Sequence, residues 1–525
     1  MASRRDELNA YTFAKRRTVA AFLQPSATGT EEGAPRPLRA VLPGVVTGAL
    51  LVAGFGAWGV FRPQAPRGWD EPGAVVVVGK QSTTRYVVLT TRVDGEDRTR
   101  LHPVLNLASA WLLLDPRKSK VVQVEDRVLD SGKLPRGPVI GIPYAPDRLP
   151  AEADAAKAKR WAVCQRPGGN GRDVQTAVFV LADREAGLTD DGNRTTETQV
   201  LYVRSTGGAR ERFLVDSAGT KYRLPEGRPD SATLTTALVG TGATPQPVTE
   251  EWLATLDPGD DLAFPQLPGT PGASAAVPGG PDARVGMVLT AQTGAGRQYY
   301  VVLPDRIAPV SEFTAWLLVH APAGEVLGMH GRARETALKS LDPYAPSFKE
   351  DAKWPRRRGT QVNRIADTPG APDGGARRDT VCNVLRSVDG RGRQTLSTWA
   401  GTGFPADITA GGTGSYVTPG TGLLYTQLQG RRTGGGAGAL FLVTDTGLRY
   451  ALQANGDSDA ERSRIGAPGR QGPGEGGDGR PEPSQAQVRL GYGAVVPAAV
   501  PIAWSEFLSK GPRLDTNAAR QPQGS

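Results

Sequence analysis

The strongest feature of the hydrophobic pattern is a run without charge, AVLPGVVTGALLVAGFGAWGVF, from Ala40 to Phe61 between Arg39 and Arg62. As a helix it would extend about 33 Å, enough for a hydrocarbon layer of roughly 30 Å. Pro43 would fall in its first turn, where a missing N–H costs little, and Trp58 near the far end, where an interfacial anchor sits. The competing reading is a cleaved secretory signal, but the apolar part of a signal covers only about 7–15 residues after a short basic start. Here 39 residues come first. Within them Leu8, Tyr11, Thr12, Lys15 and Val19 recur at helical spacing, with Phe13, Ala20 and Phe22 close by. They predict a helix that opens with the capping-box-like pair Ser3 and Asp6 and stops before Pro25. Arg4, Arg5, Lys15, Arg16, Arg17, Arg36 and Arg39 precede the run, and this basic bias puts the N-terminus in the cytoplasm and the chain from about residue 70 outside.

Beyond the run the pattern changes to short alternating segments punctuated by turns, and these segments repeat. FLVDSAGTKYRL at 213–224 matches FLVTDTGLRYAL at 441–452, each predicting a strand, a turn carrying Gly219 or Gly447, and a second strand. GTGATPQPVTEEWLATL at 240–256 resembles GYGAVVPAAVPIAWSEFL at 491–508, with Trp252 and Trp504 in short helical stretches. RYVVL at 85–89 resembles YYVVL at 299–303, AWLLL at 110–114 resembles AWLLV at 315–319, and PYAP occurs at 143–146 and 343–346. WAVC at 161–164 and DTVC at 379–382 keep the same order. The expectation is a tandem duplication. Each half supplies two small α+β units and a β-rich cysteine segment, and the two cysteine segments pair into one central body.

The expected boundaries are a cytoplasmic arm at 1–39, a membrane helix at 40–61, unit one at 70–150, the first core segment at 151–203 and unit two at 204–265. A loose linker at 266–283 leads to unit three at 284–350, the second core segment at 351–435 and unit four at 436–515. Unit four carries an unstructured insert at 455–486, and 516–525 is expected to be a flexible tail.

Composition adds constraints. The chain has 525 residues, 67 of them Gly and 43 Pro, which favours short strands, turns and linkers. Its net charge of +9 is spread in mixed runs without a nucleic-acid motif, so a basic surface is expected and nucleic acid is not an expected partner. Cys164 and Cys382 are the sole cysteines, and His102, His320 and His330 the sole histidines. No zinc spacing occurs among them, and no metal is expected. Outside the cytoplasm two cysteines read as one disulfide, Cys164–Cys382, the other reading being two buried free thiols.

Catalytic signals are weak, and no catalytic residue is nominated. Gly73, Gly79 and Lys80 in GAVVVVGKQS approach a phosphate loop, but five residues separate the glycines, they read as a strand, and Gln81 stands where Ser or Thr should hold magnesium. Gly412, Gly414 and Gly420 lack a strand-to-helix context, Ser274 lies in the linker, and His102 before Pro103 reads as a structural ring. The arm supplies the candidate docking residues Leu8, Tyr11 and Phe13, whose apolar surface can be covered by lipid or by a neighbouring subunit.

The opening SRRDELNAYTFAKRRTVAAFL, the apolar run, GWDEPGAVVVVG, STTRYVVL, LHPVLNLASAWLLL, GIPYAPDRLP, WAVC, both FLV hairpins and GYGAVVPAAVP together resemble the EccB family of type VII (ESX) secretion systems. The resemblance covers nearly the whole chain, and the Gly-rich insert near 455–486 departs from it. It implies an α+β fold: one N-terminal transmembrane helix, then an outer domain with a β-rich central core and four small α+β repeats in quasi-two-fold arrangement, tied by a disulfide. It also implies a structural subunit of a plasma-membrane complex with EccC, EccD and EccE that exports WXG-type proteins. The lipid bilayer and further copies of the chain are expected partners, and peptidoglycan is an alternative one. Some family members carry the name ATPase without a Walker motif, so ATP is implied by the resemblance alone. The residues themselves point to no cofactor.

Overall fold

The computed structural model describes residues 3–23, 38–61, 65–93, 96–117, 120–168, 173–277, 282–294, 296–337, 346–366, 375–408, 414–429, 438–452 and 483–523. It divides into two units, Met1–Arg67 and Gly68–Ser525.

The first unit consists of helices Arg4–Leu23 and Leu38–Phe61. The first opens as the pattern predicts, with the Ser3 backbone N–H donating to Asp6 Oδ2 at 3.2 Å. The second begins two residues earlier than the uncharged run. Pro43 therefore falls in the second turn and not the first, and it removes one interior hydrogen bond. Val41, Leu42, Val45, Val46, Leu50, Leu51, Val52 and Phe55 are all exposed. The Trp58 side chain lies outside the described residues. Among the described residues no helix is long and apolar enough to cross a membrane.

Among its described residues the second unit contains five sheets. The central one has the order Gln394–Gly401, Thr380–Val388, Arg160–Pro167, Val174–Leu181, Ser415–Val417. Its strands alternate between two buried faces. Trp161, Val163, Val178, Val180, Val381 and Leu385 pack on one side, and Ala162, Cys164, Phe179, Cys382 and Val384 on the other. That double burial is why stretches such as WAVC at 161–164 and AVFVL at 177–181 are apolar without alternation.

Two strand orders each occur twice around this centre. In one sheet Val76–Gly79 pairs antiparallel with Arg85–Val93 and parallel with Val121–Val124, while Glu96–Pro103 closes the outer edge. Val288–Thr293, Gly296–Val302, Arg334–Glu335 and Ile307–Val310 repeat this arrangement. In the other order Gln199–Ser205, Arg212–Val215 and Thr220–Leu224 form an antiparallel meander flanked by the parallel strands Gln246–Val248 and Asp257–Pro258. Leu423–Leu428, Leu440–Val443, Leu448–Leu452, Ala498–Pro501 and Ser509–Lys510 repeat that one. Gly219 and Gly447 occupy the hairpin turns at the same φ, +78°. At Gly219 a Cβ would also approach Leu396 Cβ to 2.7 Å.

The meanders seat on the central sheet through Trp252 and Trp504, both fully buried. The sheet at residues 76–124 packs on the C-terminal meander around helix Leu107–Leu113, in a core with Leu424, Leu440, Leu442 and Leu490. Leu234 and Leu238 of helix Ser231–Val239 meet Phe313 and Leu317 of helix Glu312–His320, joining the other pair.

Several sequence boundaries change. Gln199–Ser205 and Leu423–Leu428, assigned above wholly or largely to core segments, pair with the meanders, because each must lie beside its own FLV strand. The linker 266–283 is packed where it is described: Leu267, Ala275, Val277 and Ala283 rest on apolar cores. Most of the insert lies outside the described residues, but its end is ordered. Ser484 caps helix Gln485–Arg489, and Ala486 is buried. The tail is docked as well. Thr516–Arg520 is a helix with Ala519 fully buried, and the Gln523 N–H donates to Val139 O at 2.8 Å. A few scattered apolar side chains suffice for each attachment, too few to register against a polar, Gly-rich background.

Candidate functional site

Two regions carry the residues nominated from sequence, the cross-linked centre and the N-terminal arm. At the centre Cys164 and Cys382 stand directly opposite each other on antiparallel strands, with Cα atoms 4.0 Å apart, and are joined by a disulfide of 2.05 Å. Both are fully buried, so this structure has a cross-link and no free thiol. Trp252 Nε1 donates to Val163 O at 2.9 Å, and Asn383 Nδ2 donates to Thr255 O at 3.0 Å, fastening the neighbouring meander to strands from both halves of the chain.

An ion cluster that sequence reading missed lies on the same sheet. Asp190 receives Arg160 Nη1 at 2.5 Å and Arg386 Nη1 at 2.6 Å, one arginine from each half. The hydrogen bond from Arg386 outweighs the opposing effect of burial and, with the bond from Arg160 and the charge of both arginines, holds the Asp190 carboxyl down to about 2. Arg194, four positions on, is a local partner at 3.4 Å, but the two closer arginines are 30 and 196 positions away and nothing local in the sequence announces them.

The matching hairpins also place a cation at corresponding positions, Lys221 and Arg449. Lys221 Nζ donates to Leu253 O at 2.7 Å, and Arg449 Nη1 donates to Ser505 Oγ at 2.6 Å. Each cation reaches the short helix that carries its meander's tryptophan. Burial pushes the Lys221 ammonium below its ordinary range.

On the arm, Leu8 and Tyr11 are 68% and 70% exposed and Phe13 is 46% exposed. Positions 8 and 11 share one side of the helix and Phe13 lies off it, so they form a broad apolar surface and not a single stripe.

The weaker chemical candidates are dispersed. Val76–Gly79 is a strand, and Lys80 Nζ donates to Glu125 Oε1 at 2.6 Å. That bond, then one from Gln81, holds Glu125 below the usual carboxylate range. Gln81 and Ser82 are engaged by Glu125 and Asp126. His102 is buried with Nδ1 3.1 Å from Pro138 O, and desolvation lowers its basicity. Ser274 sits in an isolated bridge with Arg284, and Gly412 lies outside the described residues. Among the described residues no group of three His, Cys, Asp or Glu could hold a metal.

A family model described as "Type VII secretion system ESX-1, transport TM domain B" matches residues 1–524. The chain is 29% identical over 450 residues to the ESX-3 secretion system ATPase EccB3 of Mycolicibacterium smegmatis, covering 80% of this chain and 77% of that one. It is 30% identical over 283 residues to the ESX-1 secretion system ATPase EccB1 of Mycobacterium tuberculosis, covering 53% of each. Among solved structures, an EccB3 dimer from the ESX-3 core complex aligns with a TM-score of 0.55 at 22% identity, over 85% of this chain and 99% of that one. A chain of an intact ESX-5 inner membrane complex aligns with a TM-score of 0.56 at 20% identity, over 100% and 96%. The chain belongs to the EccB family of the type VII secretion system.

Proposed function

We propose that this EccB-family chain is a scaffold subunit of a type VII secretion complex, anchored once in the plasma membrane with residues 1–39 in the cytoplasm and the second unit outside. The observation that carries the reading is the helix Leu38–Phe61, uncharged from Ala40 onward, whose apolar side chains from Val41 to Phe55 are exposed around its circumference. Such a surface calls for lipid or other membrane helices, and the whole uncharged run 40–61, whose ends have side chains outside the described residues, supplies the length for a span. We read the two recurring strand orders as four repeat units in a duplicated outer domain, with the disulfide tying their common core.

Self-association is part of the proposal, in keeping with the EccB3 dimer. So is assembly with EccC, EccD and EccE, and peptidoglycan is a further candidate contact of the outer face. Relatives carry the name ATPase. In this chain Lys80 of the phosphate-loop-like segment is engaged by Glu125, which favours the scaffold reading. The test is recovery of the tagged full chain in mild detergent. EccC, EccD and EccE should co-purify with it; a solitary monomer, with export intact in a strain lacking the chain, would overturn the proposal.

A further inference from the structure

The two meanders share strand order and register but differ sharply at one place. Tyr202, Arg204 and Arg212 of the first correspond to Leu424, Thr426 and Leu440 of the second, since Leu201 pairs with Val215 as Leu423 pairs with Val443. In the second meander these positions help build an apolar core, with Leu424 and Leu440 buried. In the first, Arg204 and Arg212 stand directly opposite each other on adjacent strands. Like charges so placed destabilise a sheet.

The carboxylates present do not balance them. Arg212 pairs with Glu226 and donates from Nη1 to Tyr202 Oη at 3.2 Å. Among the described residues Arg204 has no carboxylate partner, and its Nε is buried without an acceptor. A cavity of about 630 Å³ opens over the pair and is lined also by Arg228, Ser231 and Thr235. Arg228 brings a third guanidinium. Asp261, whose carboxylate feels Arg228, is already held by Arg223. The cavity thus has three guanidiniums against one carboxylate, with hydroxyls around its wall.

We propose that this cavity is a binding site for an oxyanion, a phosphate or carboxylate group carried by a hydroxyl-bearing ligand. Guanidiniums bind both groups through paired, charge-assisted hydrogen bonds, and an anion seated between Arg204 and Arg212 relieves their mutual repulsion. The site is separate from the disulfide centre and the arm, and does not depend on the scaffold role.

The test uses the full chain in detergent and follows its thermal midpoint at constant ionic strength. Inorganic phosphate represents the phosphate source and glucuronate the carboxylate source, each replacing chloride. At least one should raise the midpoint of the wild type, and which one does so identifies the group. Arg204→Gln should raise the midpoint in chloride, because the opposed charges are gone, and should lose the response to the anion. Arg228→Gln, at an exposed position that leaves folding intact, should weaken the response ~10-fold or more in anion concentration. No anion-specific shift in the wild type, or a shift that persists undiminished in Arg228→Gln, would overturn the site.

Discussion

Cys164 lies directly across from Cys382 on the central sheet, although the two are 218 positions apart in the chain. One strand comes from each half, so the bond closes a loop containing the whole intervening meander and the sheet that follows it.

The first expected outcome concerns that bond. Non-reducing peptide mapping should recover the Cys164 and Cys382 peptides linked. Cys382→Ala should lower unfolding stability by roughly 2–5 kcal/mol, the range for losing a native disulfide. Alkylation of both thiols without prior reduction would contradict the structure.

Acid sensitivity should trace in part to Asp190. Its folded pKa is about 2, below that of an unfolded aspartate, so its stabilising contribution is complete above pH ~4 and is lost as pH falls toward 2. Because the carboxylate is about a third exposed, the contribution is screened to on the order of 1 kcal/mol. Asp190→Asn should be destabilised near neutral pH by about that amount and should flatten the stability profile between pH 4 and 2. A profile parallel to wild type would remove Asp190 from the acid transition.

The docked C-terminus makes a sharper claim. Ala519 is fully buried in the core that holds helix Leu107–Leu113. Ala519→Asp would bury an unpaired carboxylate and should cost ~3 kcal/mol or more. Hydrogen exchange should quicken in residues 107–113 of that variant. Unchanged protection there would mean the tail adds nothing to the first sheet.

The same tail marks the limit of what could be read from sequence. The FLV hairpins were legible because a Gly-bearing turn and alternating apolar positions are local signals, and Gly219 and Gly447 do sit at matching turns. The cysteine pair was legible because only one intramolecular pairing exists. Ala519, Leu267 and Val277 carry no such signal. Their surroundings are polar or rich in Gly and Pro, and what orders them is contact with distant apolar cores. The opposed pair Arg204 and Arg212 was equally hidden, since register alone makes them neighbours.

Lys80→Ala should leave export and any nucleotide hydrolysis by the purified chain unchanged. Lys80 directly follows the strand Val76–Gly79 and is engaged by Glu125, and Gln81 and Ser82 are occupied beside it. Hydrolysis that disappears with this single change would overturn the reading and make the 73–82 segment a nucleotide site.

The arm should be needed for assembly and not for folding of the second unit. Leu8, Tyr11 and Phe13 are exposed on helix Arg4–Leu23. In the proposed topology the membrane separates the arm from the outer sheets, so lipid or a neighbouring subunit must cover these side chains. Lipid alone holds a short basic helix weakly, at about 1 kcal/mol per basic residue near an anionic leaflet. A partner groove can use aromatic anchors, each costing roughly 2 kcal/mol or more on truncation when it is a hot spot. Replacing Tyr11 and Phe13 together by Ala keeps every Lys and Arg, and with them the signal that orients the chain. A reporter fused after Asp70 should therefore keep its outside activity, while the complex, sized on a native gel after mild solubilisation, should lose this subunit or fall apart. An intact complex with normal export would reduce the arm to a topology signal, because the apolar surface that distinguishes it from a mere basic tag would then have no work to do.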